Sequence, residues 1–292
     1  MRCGPAYPLL VLALVVATAV CACSTDSAPP VATPSLAFSD VAAAGSPIEI
    51  TYRFAVADDA PEFTENYWVF VHFLDTDGEL MWTDDHEPPT PTRQWKPGAI
   101  VEYPRVMFVP MFPYVGQTSV EVGLVSTTTG DRLPLTGETT GQRSYRIGTF
   151  DMRPRGDDLD VAFVDGWHEA ESADEVAAPR WRWSKKDAIL SFPNHDREIR
   201  VYLQVDQPAA ALSGPQRVEV RVGAELVDSF VPTPQMAFRR FQVSASQLGS
   251  AETVDLTISV DDTFVPAALP ALNSPDAREL GIRVFRVFVE PL

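Results

Sequence analysis

The chain has 292 residues, room for one large domain or two of ordinary size. Hydrophobic residues at 45% and charged residues at 22% permit a packed core and exclude wholesale disorder. With 40 Asp+Glu against 23 Lys+Arg the net charge is −17, which argues against a general nucleic-acid binder and against a surface that lies flat on an anionic leaflet.

Residues 1–22 read as a signal peptide. Arg2 supplies the positive start, and the uncharged run Leu9 to Val20 is too short to span a bilayer. The following Val20-Cys21-Ala22-Cys23 resembles a bacterial lipobox, with an aliphatic residue three places before Cys23 and a small one just before it. The resemblance implies cleavage ahead of Cys23 and lipidation there, hence a membrane partner held through acyl chains. An ordinary signal peptide without lipid is the plainer alternative. Cys3, Cys21 and Cys23 are the only cysteines, so the body has none to pair. Ser24 stands where the enteric lipoprotein pattern places Asp for inner-membrane retention, which implies an outer-membrane lipoprotein facing the periplasm or the cell surface. Residues 23–35, small, polar and Pro-rich, read as the lipidated end and a flexible tether.

The body is expected to be all-β, as two β-sandwiches. Over 36–150, strands are predicted near 36–43, 47–57, 67–74, 79–83, 100–109, 118–126 and 143–150. The stretch Ile48 to Phe54 alternates with period two, and Tyr67 to Leu74 is apolar on both faces. Asp75-Thr76-Asp77-Gly78 marks a hairpin turn. This spacing suggests an immunoglobulin-like sandwich. The charged stretch 151–160 reads as an interdomain linker. Over 161–292, alternation recurs at Ile199 to Val205, Val218 to Val222 and Val254 to Val260, with a last strand from Gly281 to Val289, which fits a jelly roll. Short helices are possible at 207–213 or 246–250.

Two stretches carry family resemblance. Trp68-Val69-Phe70-Val71-His72-Phe73, Asp84-Asp85-His86-Glu87-Pro88 and Trp95-Lys96-Pro97-Gly98 resemble immunoglobulin-like accessory domains of bacterial envelope proteins. Gly166-Trp167-His168-Glu169, Arg180-Trp181-Arg182-Trp183-Ser184 and Asp276-Ala277-Arg278-Glu279-Leu280-Gly281 are similar to sandwiches appended to bacterial glycosyltransferases and polysaccharide-assembly proteins, with a galactose-binding-like layout. The resemblance implies an accessory role beside glycan-building machinery, with an envelope polysaccharide or an envelope protein as partner.

A sugar site needs an exposed aromatic ring beside polar hydrogen-bonding groups. Trp82, Asp84, Asp85, His86, Arg93 and Trp95 offer that chemistry in one stretch, and Trp181 and Trp183 lie on one side of an extended segment. The competing reading buries these indoles in the sandwich edges and ends. Glu169, Arg180, Asp276 and Arg278 are expected to form a structural polar network that braces the loop before the last strand, or else to bind sugar hydroxyls. Asp75, Asp77, Asp84, Asp85 and Glu87 could ligate calcium, but Asp75-Thr76-Asp77-Gly78 lacks the rest of a calcium loop, and His72 and His86 have no cysteine partner for zinc. No metal or cofactor is expected. There is no nucleophile elbow, phosphate loop or zinc-protease motif, so the expected protein is not an enzyme.

Overall fold

The computed structural model describes residues 28–111, 113–155, 161–172, 180–207 and 214–292. The signal peptide, Cys23 and the start of the proposed tether, residues 24–27, lie outside the described residues. No helix among the described residues is long and apolar enough to cross a membrane.

The expected all-β architecture is what the chain adopts. The first sandwich uses β1 (Ala32–Ala37), β2 (Val41–Ala43), β3 (Pro47–Val56), β4 (Tyr67–Leu74), β5 (Leu80–Thr83), β6 (Ile100–Phe108), β7 (Gly116–Ser126), β8 (Glu138–Gly141) and β9 (Ser144–Arg153). A three-stranded sheet, β1-β3-β6, faces a six-stranded one, β2-β9-β7-β4-β5 with β8 paired to β9. The alternation of β3 turns Ile48, Ile50, Tyr52, Phe54 and Val56 inward. They meet Val69, Val71 and Phe73 of β4 and Val120, Val122 and Leu124 of β7 in one core. β4 sits between β7 and β5, and on its outward face Phe70 is covered by the Arg132 guanidinium while Trp68 is 40% exposed. Its hairpin closes as expected, with the Asp75 carboxylate accepting the backbone N–H of Asp77 and Glu79 at 2.9 and 2.8 Å.

Three boundaries differ from expectation. The segment 36–43 is two strands, because the chain leaves the β1 edge at Phe38, whose ring packs edge-on against Phe150. The tether does not extend to residue 35: Val31 and Ala32 are 4% and 1% exposed, and β1 pairs with β3 in the register Ala32↔Val56. Pro34 made this stretch read as linker, but β1 is an edge strand, where a residue without an N–H is tolerated. The linker cannot begin at 151 either, since Met152 is fully buried and Asp151–Arg153 pair in parallel with β2.

The second sandwich contains β10 (Ala162–Trp167), β11 (Glu171–Ser172), β12 (Arg180–Pro193), β13 (Ile199–Asp206), β14 (Val218–Val222), β15 (Glu225–Phe230), β16 (Ala237–Val243), a single helical turn α1 (Ala245–Leu248), β17 (Thr253–Val260) and β18 (Arg283–Pro291). The other candidate helix falls almost wholly outside the described residues. Strands follow the order β15-β14-β17-β12-β18-β13-β16. β12 is the corner: Asp187–Pro193 pair with β17, whereas Arg182 and Trp183 pair with β18. Its two ends therefore belong to the two layers, and Leu190, Leu203, Val220, Leu256 and Ile258 fill the space between them.

β18 carries a bulge at Phe285, because Gln204 opposes Arg286 while Val205 opposes Val284. Val284 and Val289 are five positions apart and would face opposite ways in a regular strand; with the extra residue both reach the core. The motif glycine Gly166 has φ +75°, and a Cβ there would lie 1.9 Å from the Asp187 carbonyl oxygen. Gly166→Ala is expected to cost ~2 kcal/mol or more of the second sandwich's stability. Gly223→Ala, at φ +55° but facing open space, is expected to cost only ~1 kcal/mol. Urea midpoints of the two variants check the ordering.

Candidate functional site

The indoles singled out in the first sandwich are structural. Trp82 is 8% exposed and stacks on Phe73 at 4.7 Å. Trp95 is 3% exposed, packs against Phe54 and Phe63, and donates its ring N–H to the Thr90 carbonyl at 2.8 Å. The loop carrying Trp95 folds back over the sandwich end through a 3-10 turn, Thr92–Gln94, whose Thr92 is fully buried. Neither ring offers a face to a sugar. Arg93 is exposed on the same turn. Asp85 is exposed, and its carboxylate accepts the backbone N–H of Val71 at 2.9 Å.

In the second sandwich Trp183 is buried edge-on to Phe264, and with Leu280 they form a small separate core against which Trp181 packs. Arg283 lies over both indoles and forks onto Asp206 at 2.7 and 2.5 Å. The closing motif is thus a lid on the sandwich end, latched by paired backbone bonds between Phe264 and Leu280. The expected polar network forms only in part. Arg278 binds Asp276 at 2.7 Å, but its second partner is Glu171 at 2.6 Å. Hydrogen bonds from Arg278 pull the Asp276 carboxyl down to about 2. Glu169 is fully exposed and reaches only Arg182, at 4.0 Å, and Arg180 is exposed at the start of β12.

Asp84 and His86 behave differently, for they anchor a buried polar cluster. Arg105 donates to both Asp84 oxygens, at 2.9 and 2.7 Å, and the Tyr52 hydroxyl donates to the same carboxylate at 2.9 Å. Tyr103 stacks on Tyr52 at 5.4 Å. His86 lies 2.6 Å from the Asp84 backbone carbonyl through Nδ1 and 2.9 Å from the Tyr103 hydroxyl through Nε2. A carbonyl only accepts, so Nδ1 carries the proton and the Tyr103 hydroxyl donates to Nε2. Burial, then the nearby Arg105 charge, pushes the His86 pKa down, and burial followed by Asp84 pushes the Tyr52 phenol up. For Arg105, burial opposes the charge, but the Asp84 hydrogen bonds outweigh it.

This cluster forms one wall of a cleft of about 500 Å³ between the sandwiches. Arg105, Met107 and Phe108 come from β6, and Gln204, Phe238 and Arg286 come from β13, β16 and β18. Phe108 bridges the two bodies, 5.3 Å from Phe238 and 6.4 Å from Phe288. Arg240 and Glu49 form an ion pair beside it. Phe238 is half-buried, and no described group hydrogen-bonds the Gln204 side-chain amide or the Arg286 guanidinium. A half-covered ring beside unpaired donors in a concave site is the chemistry a sugar requires. Sequence reading found Asp84 here and missed Arg105, Gln204, Phe238 and Arg286. A broader depression near Arg132 and Tyr145 has its Arg132 cation already engaged, over Phe70 and on the Gln142 carbonyl. No cluster that could hold a metal exists among the described residues; Asp75 is occupied by its own turn.

No family model and no curated protein matches the chain. Among solved structures it is similar to alkylpurine DNA glycosylase AlkC from Pseudomonas fluorescens, at 16% identity and TM-score 0.28, over 42% of this chain and 31% of that one. It is similar to the CBM51-2 and INT domains of Clostridium perfringens ZmpB, at 9% identity and TM-score 0.25, over 61% and 38%. It is also similar to the CBM22-1-CBM22-2 tandem of Paenibacillus barcinonensis Xyn10C, at 8% identity and TM-score 0.21, over 85% and 79%. The chain thus spans about a third of the length of the first two.

Two outcomes follow for the cluster. Asp84→Asn strands the half-buried Arg105 charge and is expected to cost ~2 kcal/mol or more, read from urea unfolding. Below the ordinary histidine value of 6.5 the unfolded chain takes up a proton that folded His86 refuses. Stability is therefore complete above that pH and falls as the solution is acidified through it. Half-buried His72, lowered by burial as well, adds to the same slope. His86→Gln should make the urea midpoint less steep against pH between 5 and 7 without flattening it.

Proposed function

We propose that this protein is a non-catalytic cell-envelope lipoprotein, acylated at Cys23 and held at the outer membrane, that binds or helps assemble an envelope polysaccharide through the cleft between its sandwiches. The observation that carries the reading is the half-buried Phe238 ring beside the unpaired Gln204 amide in that cleft. A pyranose ring lays its apolar face on such a phenyl while its hydroxyls take the amide. The motif tryptophans are left to structural duty, so the ligand surface is assembled from strand residues of both sandwiches.

A protein partner in place of a glycan would make the chain an adaptor. Met111 and Val115, 62% and 60% exposed on the β6–β7 connection, favour that second reading.

Affinity electrophoresis through gels containing the organism's own envelope polysaccharide tests the proposal. The full-length protein should be retarded, and Phe238→Ala or Gln204→Ala should weaken retardation about ten-fold. No retardation with any envelope glycan, or release of reducing ends during incubation, would overturn it. For the anchor, mass spectrometry should find acyl chains on Cys23, and Cys23→Ser should move the protein to the soluble fraction.

A further inference from the structure

We propose that the cleft selects an acidic sugar, a uronic acid residue of a polysaccharide, by pairing its carboxylate with the Arg286 guanidinium. This rests on the glycan reading above and adds to it the charge of the ligand.

Other charges along the seam between the sandwiches have partners. Arg105 is bound to Asp84, Arg240 to Glu49 and Arg200 to Glu290. Arg286 is different: among the described residues no carboxylate pairs with it, and its guanidinium carbon lies over the Phe108 ring, 5.2 Å from the centroid. The guanidinium N–H groups have no hydrogen-bond partner among the described residues and remain available to a ligand. The chain has 40 acidic residues against 23 basic ones, so a cation left without an acid is not explained by shortage.

The β18 bulge sets this placement. The extra residue at Phe285 sends Val284 and Val289 to the core and leaves Arg286 exposed at the cleft, while Arg283 is taken up by Asp206. A guanidinium edge matches the two oxygens of a carboxylate. One free cation balances one negative charge. A phosphate, nearer two charges at neutral pH, would leave an excess within a chain of net −17.

The test uses the full-length protein in detergent, titrated with polygalacturonate oligomers and with the same oligomers after carboxyl reduction to neutral galactan. The acidic form should bind about ten-fold more tightly at low salt, and the gap should narrow at high salt. Arg286→Gln should abolish the preference, bringing the affinities for the acidic and neutral forms together. Arg286→Lys, which keeps the charge without the planar edge, should retain part of it. Lys185→Gln, an exposed position away from the cleft, should retain all of it. Equal binding of both oligomers, a preference that survives Arg286→Gln, or equally tight binding of poly-glutamate would overturn the uronate assignment while leaving glycan binding intact. If neither oligomer and no envelope glycan binds, the parent reading falls as well.

Discussion

Phe108 is the point on which the two sandwiches meet. It closes β6 at the rim of the first sandwich and reaches Phe238, Phe288 and the Arg286 cation on the second. Three neighbours from two strands of one body hold one ring of the other. The cleft opens beside this apolar contact, lined by Arg105 of the first sandwich and Gln204 and Arg286 of the second. The Arg240–Glu49 pair adds direction to the contact. An exposed ion pair of this kind contributes only ~0–1 kcal/mol, so the aromatic contact carries most of the association.

Much of the architecture was legible because core strands announce themselves by parity. Ile48 to Val56, Val218 to Val222 and Val254 to Val260 alternate, and the structure turns the apolar set of each inward. The errors lie where local composition and tertiary context disagree. Pro34 reads as linker in isolation and is acceptable in β1 only because β1 is an edge. Phe38 reads as strand and instead leaves the sheet to pack on Phe150.

The site was far less legible. Trp82 and Trp95 suggested a ligand surface because they flank polar loop residues, yet nothing local reveals that the Trp95 loop folds back over the sandwich end. The motif residues Asp85, His86, Gly166 and Trp167 prove to be structural: a backbone acceptor, a buried hydrogen-bond relay, a close approach of chains and an indole bonded to the Ile189 carbonyl. The cleft residues carry no motif at all. Arg105, Gln204, Phe238 and Arg286 lie in four strands scattered over the chain, and the Phe285 bulge reverses the facing that alternation would assign. Only the fold brings them together, so a distinctive sequence pattern and a candidate binding surface are different things here.

The corner strand β12 has a mechanical consequence. Its first residues are bonded to β18 and its last to β17, so one continuous backbone is stitched into both layers of the second sandwich. Neither layer can peel away without dragging the other's seam. A pull applied at Gln204, Phe238 and Arg286 would load β13, β16 and β18 first, and β12 would spread that load across the whole body. The layers thus yield as one piece.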